Sequence, residues 1–235
     1  MRAVILAGGK GTRLAPYTSV FPKPLVPVGD MPILEIVISQ LRHYGITHIT
    51  LAVGHLAMLL QTFFADGSRH GVTIDYALED HPLGTAGPLA MIPDLDEPFV
   101  VMNGDLLTTL DYSALIQYHR HKRAAATIAM HRREVKIDLG VIQLDGGNTI
   151  KGYLEKPTYD YNVSMGVYVF EPEVLRHIPP GTYLDFPDLV HRLLDNGETV
   201  VGYPYDGYWL DIGRPDDYAQ AVQDFETMRS QFLLE

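Results

Sequence analysis

Apolar residues fall in two alternating textures along the first half of the chain. Short continuous apolar runs at residues 1–7, 46–53, 72–78 and 99–102 have the composition of buried strands. Between them lie segments of helical spacing. Ile33, Ile36, Val37 and Leu41 recur on one face of residues 32–44, with Pro32 at the opening and Gly45 where a helix C-terminus favours glycine. Residues 55–65 predict a second helix and residues 85–91 a short one. Such alternation predicts a parallel sheet covered by helices on both faces.

From residue 124 the pattern changes to closely spaced extended runs at 125–131, 140–144 and 149–154. Asp145, Gly146, Gly147 and Asn148 join the last two with a turn composition that tolerates positive φ, which predicts an antiparallel excursion. A strand at 163–170, a helix at 183–196, a strand at 199–203 and a closing helix at 215–229 complete the reading. The expected fold is α/β, a mixed, mostly parallel sheet flanked by helices with a small antiparallel excursion. No repeat or low-complexity linker divides the chain, so one domain is expected over 1–235, in two parts of about 1–123 and 124–235.

Composition changes this picture little. With 46% hydrophobic and 20% charged residues, the 235-residue chain reads as globular. Its 18 Lys+Arg against 29 Asp+Glu give a net charge of −11, which opposes general affinity for nucleic acid or anionic membrane. Any attraction for an anionic ligand must then be local. The absence of cysteine excludes disulfides and thiolate metal sites, and cytoplasm is the default compartment. The apolar start at residues 3–7 runs into Gly8 and Gly9, too early for a signal-peptide core, so a soluble, unprocessed protein is expected.

Candidate chemistry begins at the end of the first strand. Leu6 and Ala7 lead into Gly8, Gly9, Lys10, Gly11, Thr12 and Arg13, a turn whose backbone N–H groups can converge on phosphate oxygens while Arg13 adds a charged fork. The same turn could equally serve only as a tight connection. It matches neither the P-loop nor the dinucleotide fingerprint. Further on, Pro22 and Pro24 flank Lys23 and predict an extended, non-helical segment around it. Taken alone, Lys23 would be a solvated lysine.

Asn103, Gly104 and Asp105 place a carboxylate just beyond the C-terminal end of an apolar strand, where ligands bind in open α/β sheets, although the tripeptide also suits a plain turn. Asp211, between Trp209 and Gly213, could be a helix-start device, a role better suited to Asp216 or Asp217. Glu155 and Lys156 end another strand, and Pro157 predicts an extended Lys156. Gly84 and Thr85 read as a turn and helix start, with Thr85 as N-cap.

Together these residues resemble the sugar-1-phosphate nucleotidylyltransferases, in motifs most like the mannose-1-phosphate guanylyltransferases. The resemblance rests on residues 6–14 with their three glycines and Arg13, followed by Pro22, Lys23, Pro24 and Leu25. It implies the Rossmann-like nucleotide-diphospho-sugar transferase fold, a nucleotide-binding part at about 1–123 and a sugar-binding part at about 124–235. It also implies condensation of an NTP with a sugar 1-phosphate of mannose, glucose or heptose type, releasing pyrophosphate, with Mg²⁺ as cofactor.

By that resemblance Arg13 and Lys23 bind the β- and γ-phosphates, and Lys156 binds the sugar phosphate. Leu6, Ala7, Gly8, Gly9, Gly11, Thr12, Gly84 and Thr85 bind the nucleotide. Gly140, Glu155 and Ser164 line the sugar, and Asp105 and Asp211 hold the metal. The run from Leu83 to Gly87 leans towards GTP. Trp209, the only tryptophan, is expected to be a packing anchor.

One departure is Ser164-Met165-Gly166 where the family has Asn-x-Gly. A hydroxyl replaces an amide there, and Asn162, about 7 Å away along the strand, does not simply substitute. The resemblance ends near Tyr218 and does not extend into the C-terminal β-helix of longer relatives. Alternatives are a thymidylyl-, uridylyl- or cytidylyltransferase acting on glucose 1-phosphate, an enzyme of this fold with an acceptor such as phosphocholine, and a non-catalytic nucleotide-sugar-sensing subunit. Homo-oligomerisation stays open.

Overall fold

The structure, a computed structural model, describes residues 1–9, 11–14, 18 and 20–234. Lys10 of the glycine-rich turn lies outside the described residues. The strands are β1 (Arg2–Leu6), β2 (Pro27–Val28), β3 (Met31–Pro32), β4 (His48–Val53), β5 (Thr73–Leu78), β6 (Phe99–Asn103), β7 (Leu106–Thr108), β8 (Ala126–Lys136), β9 (Val141–Leu144), β10 (Ile150–Leu154), β11 (Thr158–Phe170), β12 (Val200–Tyr205) and β13 (Trp209–Asp211). The helices are α1 (Ile33–His43), α2 (Ala57–Phe64), α3 (Tyr112–Lys122), α4 (Phe186–Asp195) and α5 (Pro215–Phe232).

Seven strands form the central sheet in the order β12-β8-β11-β6-β1-β4-β5. β1 pairs in parallel with β4 and β6, and β4 with β5, while β11 runs antiparallel to both β6 and β8. The mixed, mostly parallel sheet expected from the alternation is therefore present. β8, read as part of the excursion, instead belongs to the central sheet over its first half. Only its far end, the far end of β11 and the separate β9–β10 hairpin project from it.

Alternation sorts each central strand onto two cores. Ile5, Leu51, Met102 and Val167 face α1, α2 and α3, whereas Val4, Ala52, Val101 and Tyr168 face α4 and neighbouring turns. A third cluster, with Leu14, Val28, Ile36, Leu107, Ile212 and Phe225, fastens α5 beneath the glycine-rich turn. Burial of these apolar surfaces is the main term holding the layers together.

α3 was not anticipated. Tyr112, Leu115, Ile116 and His119 form its buried stripe, and Asp111 caps it by accepting from Ala114 N at 2.9 Å. His119 sits in the core because both ring nitrogens are satisfied, Nδ1 with Thr127 Oγ1 at 2.8 Å and Nε2 with Glu171 Oε1 at 3.2 Å.

Two local expectations fail. Lys23 is not extended but opens a 3₁₀ turn, Lys23–Leu25, closed by Leu25 N to Pro22 O at 2.9 Å and Val26 N to Lys23 O at 3.0 Å. Pro24 lies in the first turn, where its missing N–H costs nothing. Lys156 is not extended either, with φ of 45°. Proline after it disfavours the right-handed helical well, so the reversal from β10 into β11 is made with positive φ.

Candidate active site

β1 delivers the glycine-rich turn to the C-terminal edge of the sheet, where Ala7 N donates to Ala52 O at 2.8 Å. Gly8 is required by space, since a Cβ there would lie 2.8 Å from Glu79 Oε1 and 3.2 Å from Gly54 N. Gly11 has φ of 60°, and Thr12–Leu14 forms a 3₁₀ turn held by Leu14 N to Gly11 O at 2.9 Å. Thr18 Oγ1 donates to Gly11 O at 2.6 Å. Gly9 and Thr12 stay exposed, which leaves this stretch of backbone open to a ligand.

β6 runs alongside β1, and Gly104 N donates to Leu6 O at 3.0 Å, so Asp105 emerges beside the turn. β7 and β13 then pair antiparallel with Asp211 opposite Leu106, and Ile212 N donates to Asp105 O at 3.2 Å. Two aspartates 106 positions apart thus share one end of the molecule. Lys23 is buried, and its Nζ donates to Asp105 Oδ2. Asp105 Oδ1 is also buried and has no hydrogen-bond partner.

Although Asp211 reaches the surface, burial by its surroundings and then the negative charge of Asp105 push its carboxyl above the usual carboxylate range, with Lys23 and Arg13 pulling the other way. Arg13 reaches over the same segment, its Nη1 lying 3.5 Å from where a Gly213 Cβ would be. Arg13, Lys23, Asp105 and Asp211 therefore form one group of two cations and two anions.

Hard carboxylate oxygens, one of them a buried acceptor without a partner, suit Mg²⁺, which takes one or two carboxylates and leaves its other positions to water or phosphate. Among the described residues no three His, Cys, Asp or Glu side chains gather into an all-protein cage. The residues present fit that ion.

Gly84 and Thr85 lie on the other flank. Gly84 has φ of 79° and leaves room for no side chain, a Cβ there coming 2.5 Å from Leu184 O. Thr85 is not the N-cap of its own short helix, because its hydroxyl is committed elsewhere. Its Oγ1 accepts from Phe186 N at 2.8 Å and donates to Asp185 Oδ1 at 3.1 Å, fixing the start of α4. Glu79 went unnoticed in the sequence. Its Oε2 accepts from Leu83 N at 3.1 Å while Oε1 sits against Gly8, and burial pushes its carboxyl up. Its place just beyond the end of an apolar strand, like that of Asp105, was the available signal.

The excursion carries the rest. Gly140 lies under Tyr153, whose hydroxyl a Cβ at 140 would overlap. Glu155 and Lys156 are exposed, and among the described residues no hydrogen bond or ion pair joins them to the Lys23–Asp105 group. Ser164 Oγ lies 3.0 Å from Tyr168 Oη and accepts from Gly166 N at 3.3 Å. It lines a shallow cleft with Asn162, Ile128, Met130 and Gly202, so Ser164 and Asn162 share one face of β11. Trp209 packs against the core and donates to Met165 O at 3.0 Å.

A family described as nucleotidyl transferase matches residues 2–228. UTP–glucose-1-phosphate uridylyltransferase of Synechocystis sp. is 37% identical over 243 residues, covering 95% of this chain and 63% of that protein. Mannose-1-phosphate guanylyltransferase of Mycobacterium tuberculosis is 35% identical over 229 residues, covering 94% of this chain and 64% of that one. The chain thus spans less than two thirds of the length of these relatives. The crystal structure of HddC from Yersinia pseudotuberculosis complexed with GMP-PN is similar with a TM-score of 0.73 and 25% identity, over 95% of this chain and 99% of that one.

Proposed function

The chain belongs to the nucleotidyl transferase family, and from that premise we propose that it condenses an NTP, GTP by preference, with a sugar 1-phosphate to give an NDP-sugar and pyrophosphate. The convergence of Arg13, Lys23, Asp105 and Asp211 beside the glycine-rich turn carries this reading. It gives a chain of net charge −11 a local place for polyanions.

An oxygen of the sugar phosphate attacks the α-phosphorus in line, the new P–O bond forms, and the bond to the β-phosphate breaks with its electron pair leaving on pyrophosphate. No general base is needed, because a phosphate monoester with a second pKa of about 6 is largely dianionic at neutral pH. Catalysis is then positioning and charge neutralisation. Backbone of Leu6, Ala7, Gly8, Gly9, Gly11 and Thr12 cradles the nucleotide, while Arg13 and Lys23 hold the departing phosphates. Lys156 brings the acceptor phosphate, and Gly140, Glu155 and Ser164 hold the sugar. Mg²⁺, held by Asp105 and Asp211, supplies neutralisation of charge on the phosphates when bound. A charged, membrane-impermeant NTP substrate supports a cytoplasmic reaction.

Gly84 and Thr85 wall the base, and Glu79 supports guanine. Guanine presents N1–H and N2–H side by side, two donors for one carboxylate, whereas uracil and thymine present a single N–H between two carbonyls. The likeness to the Synechocystis uridylyltransferase supports a second reading, UTP with glucose 1-phosphate. A screen of four NTPs against mannose, glucose and heptose 1-phosphates, read by pyrophosphate release, decides between them. Release with GTP that requires a sugar phosphate is expected. Release only with UTP would select the second reading, and no release with any pair would overturn both.

A further inference from the structure

We propose that Lys23 has a second task, resting on the reading above: in the nucleotide-free protein it occupies Asp105 in place of the metal, so that divalent cation and triphosphate enter as one unit and Lys23 passes from carboxylate to phosphate as they do. The geometry sets this up. Lys23 is placed by its own 3₁₀ turn, its Cβ packs 3.2 Å from the position a Gly11 side chain would take, and its Nζ reaches Asp105 Oδ2 from a side chain only 10% exposed.

Two cations, Lys23 and Arg13, already offset most of the charge of three anions, Asp105, Asp211 and Asp217, before any metal arrives. Lys23 donates to Asp105, and the charges of Asp105, Lys23 and Arg13 all reach Asp211. A divalent ion arriving alone finds Asp105 Oδ2 held by the ammonium, so it must either bind the unpartnered Oδ1 beside that cation or displace it, and either course is costly. Among the described residues, Asp105 is the only acceptor to which Lys23 Nζ donates or the only acid it pairs with. A triphosphate arriving with the ion supplies new acceptors for Lys23 and Arg13 and removes that cost. Metal and nucleotide are then coupled, each tightening the other by the same factor. The arrangement also keeps a pair of carboxylates from capturing transition ions, whose affinity for such ligands exceeds that of Mg²⁺.

The test uses the full chain and Mn²⁺ followed by electron paramagnetic resonance, with no turnover. Wild-type protein should bind Mn²⁺ alone at least about 10-fold more weakly than in the presence of a non-hydrolysable GTP analogue. Lys23→Met should tighten binding of Mn²⁺ alone by about 10-fold or more, and Lys23→Arg, which keeps the charge, should not. Equal Mn²⁺ affinity of the wild type with and without an analogue, of GTP or of UTP, that calorimetry shows it binds overturns the proposal, and this arm needs no variant to fold. So does unchanged affinity for Mn²⁺ alone in a Lys23→Met protein that still binds the analogue. If Asp105→Asn keeps full Mn²⁺ binding with the analogue present, the metal assignment itself fails, and the inference with it.

Discussion

At the scale of the residue, the site is built from groups held at some cost to the fold. Asp211 is raised above the usual carboxylate range by its surroundings and by the charge of Asp105. Between its unfolded and folded pKa the native protein holds more protons than the unfolded chain, so stability falls as pH rises through that window. The penalty is absent below the ordinary carboxylate range and complete only above the raised pKa of the folded state. Asp211→Asn should therefore raise the melting temperature near neutral pH, the gain vanishing on acidification, while lowering turnover by at least about 100-fold. Thermal scans across pH, paired with pyrophosphate release, check both halves; a loss of melting temperature near neutral pH would contradict the account. Arg13, Lys23, Asp105 and Asp211 were all legible as candidates in the sequence. Their mutual arrangement was not, because Lys23 and Asp105 stand 82 positions apart and meet only through the packing of β6 beside β1. Glu79 escaped for the same reason, since its bearing on Gly8 depends on β4 pairing with β1 on one side and with β5 on the other.

At the scale of the element, hydrophobic periodicity located the central strands and four of the five helices, and it failed where polar residues fill core positions. α3 carries His119 on its buried stripe, which a strictly apolar pattern passes over. Lys23 and Lys156 show the limits of proline rules, since Lys23 enters a 3₁₀ turn although Pro24 disfavours the helical well, and Lys156 takes a positive φ that Pro157 leaves open. Thr85 serves an element 100 residues away in place of its own. Thr85→Val keeps the shape but removes the acceptor for Phe186 N and the donor to Asp185. It should cost about 1 kcal/mol of stability, as the loss of a cap does. Denaturant unfolding reads this directly, and an unchanged midpoint would show that water replaces the hydroxyl at no cost.

At the scale of the whole molecule, we propose that residues 1–123 bind the nucleotide and 124–235 the sugar within one domain. The register of β8 and β11 gives a clean way to test it. Lys136 pairs with Thr158, and Ile137 N donates to Pro157 O at 3.0 Å, so the ladder is closed just where the excursion leaves it. Replacing residues 138–156 by a two-residue Asn-Gly turn should leave the central sheet folded and GTP binding within about 3-fold of wild type, with sugar-dependent turnover lost. Calorimetric titration of nucleotide into that variant is the check, and loss of nucleotide binding in a folded protein would contradict the division. The central claim, attack by the acceptor phosphate on the α-phosphorus, is tested most directly by mass spectrometry with a sugar 1-phosphate labelled with ¹⁸O at its non-bridging oxygens. The account predicts that all the label remains in the NDP-sugar and that pyrophosphate is released unlabelled in equal amount. Label in the released phosphate product, or pyrophosphate formed from NTP and water without NDP-sugar, would contradict it.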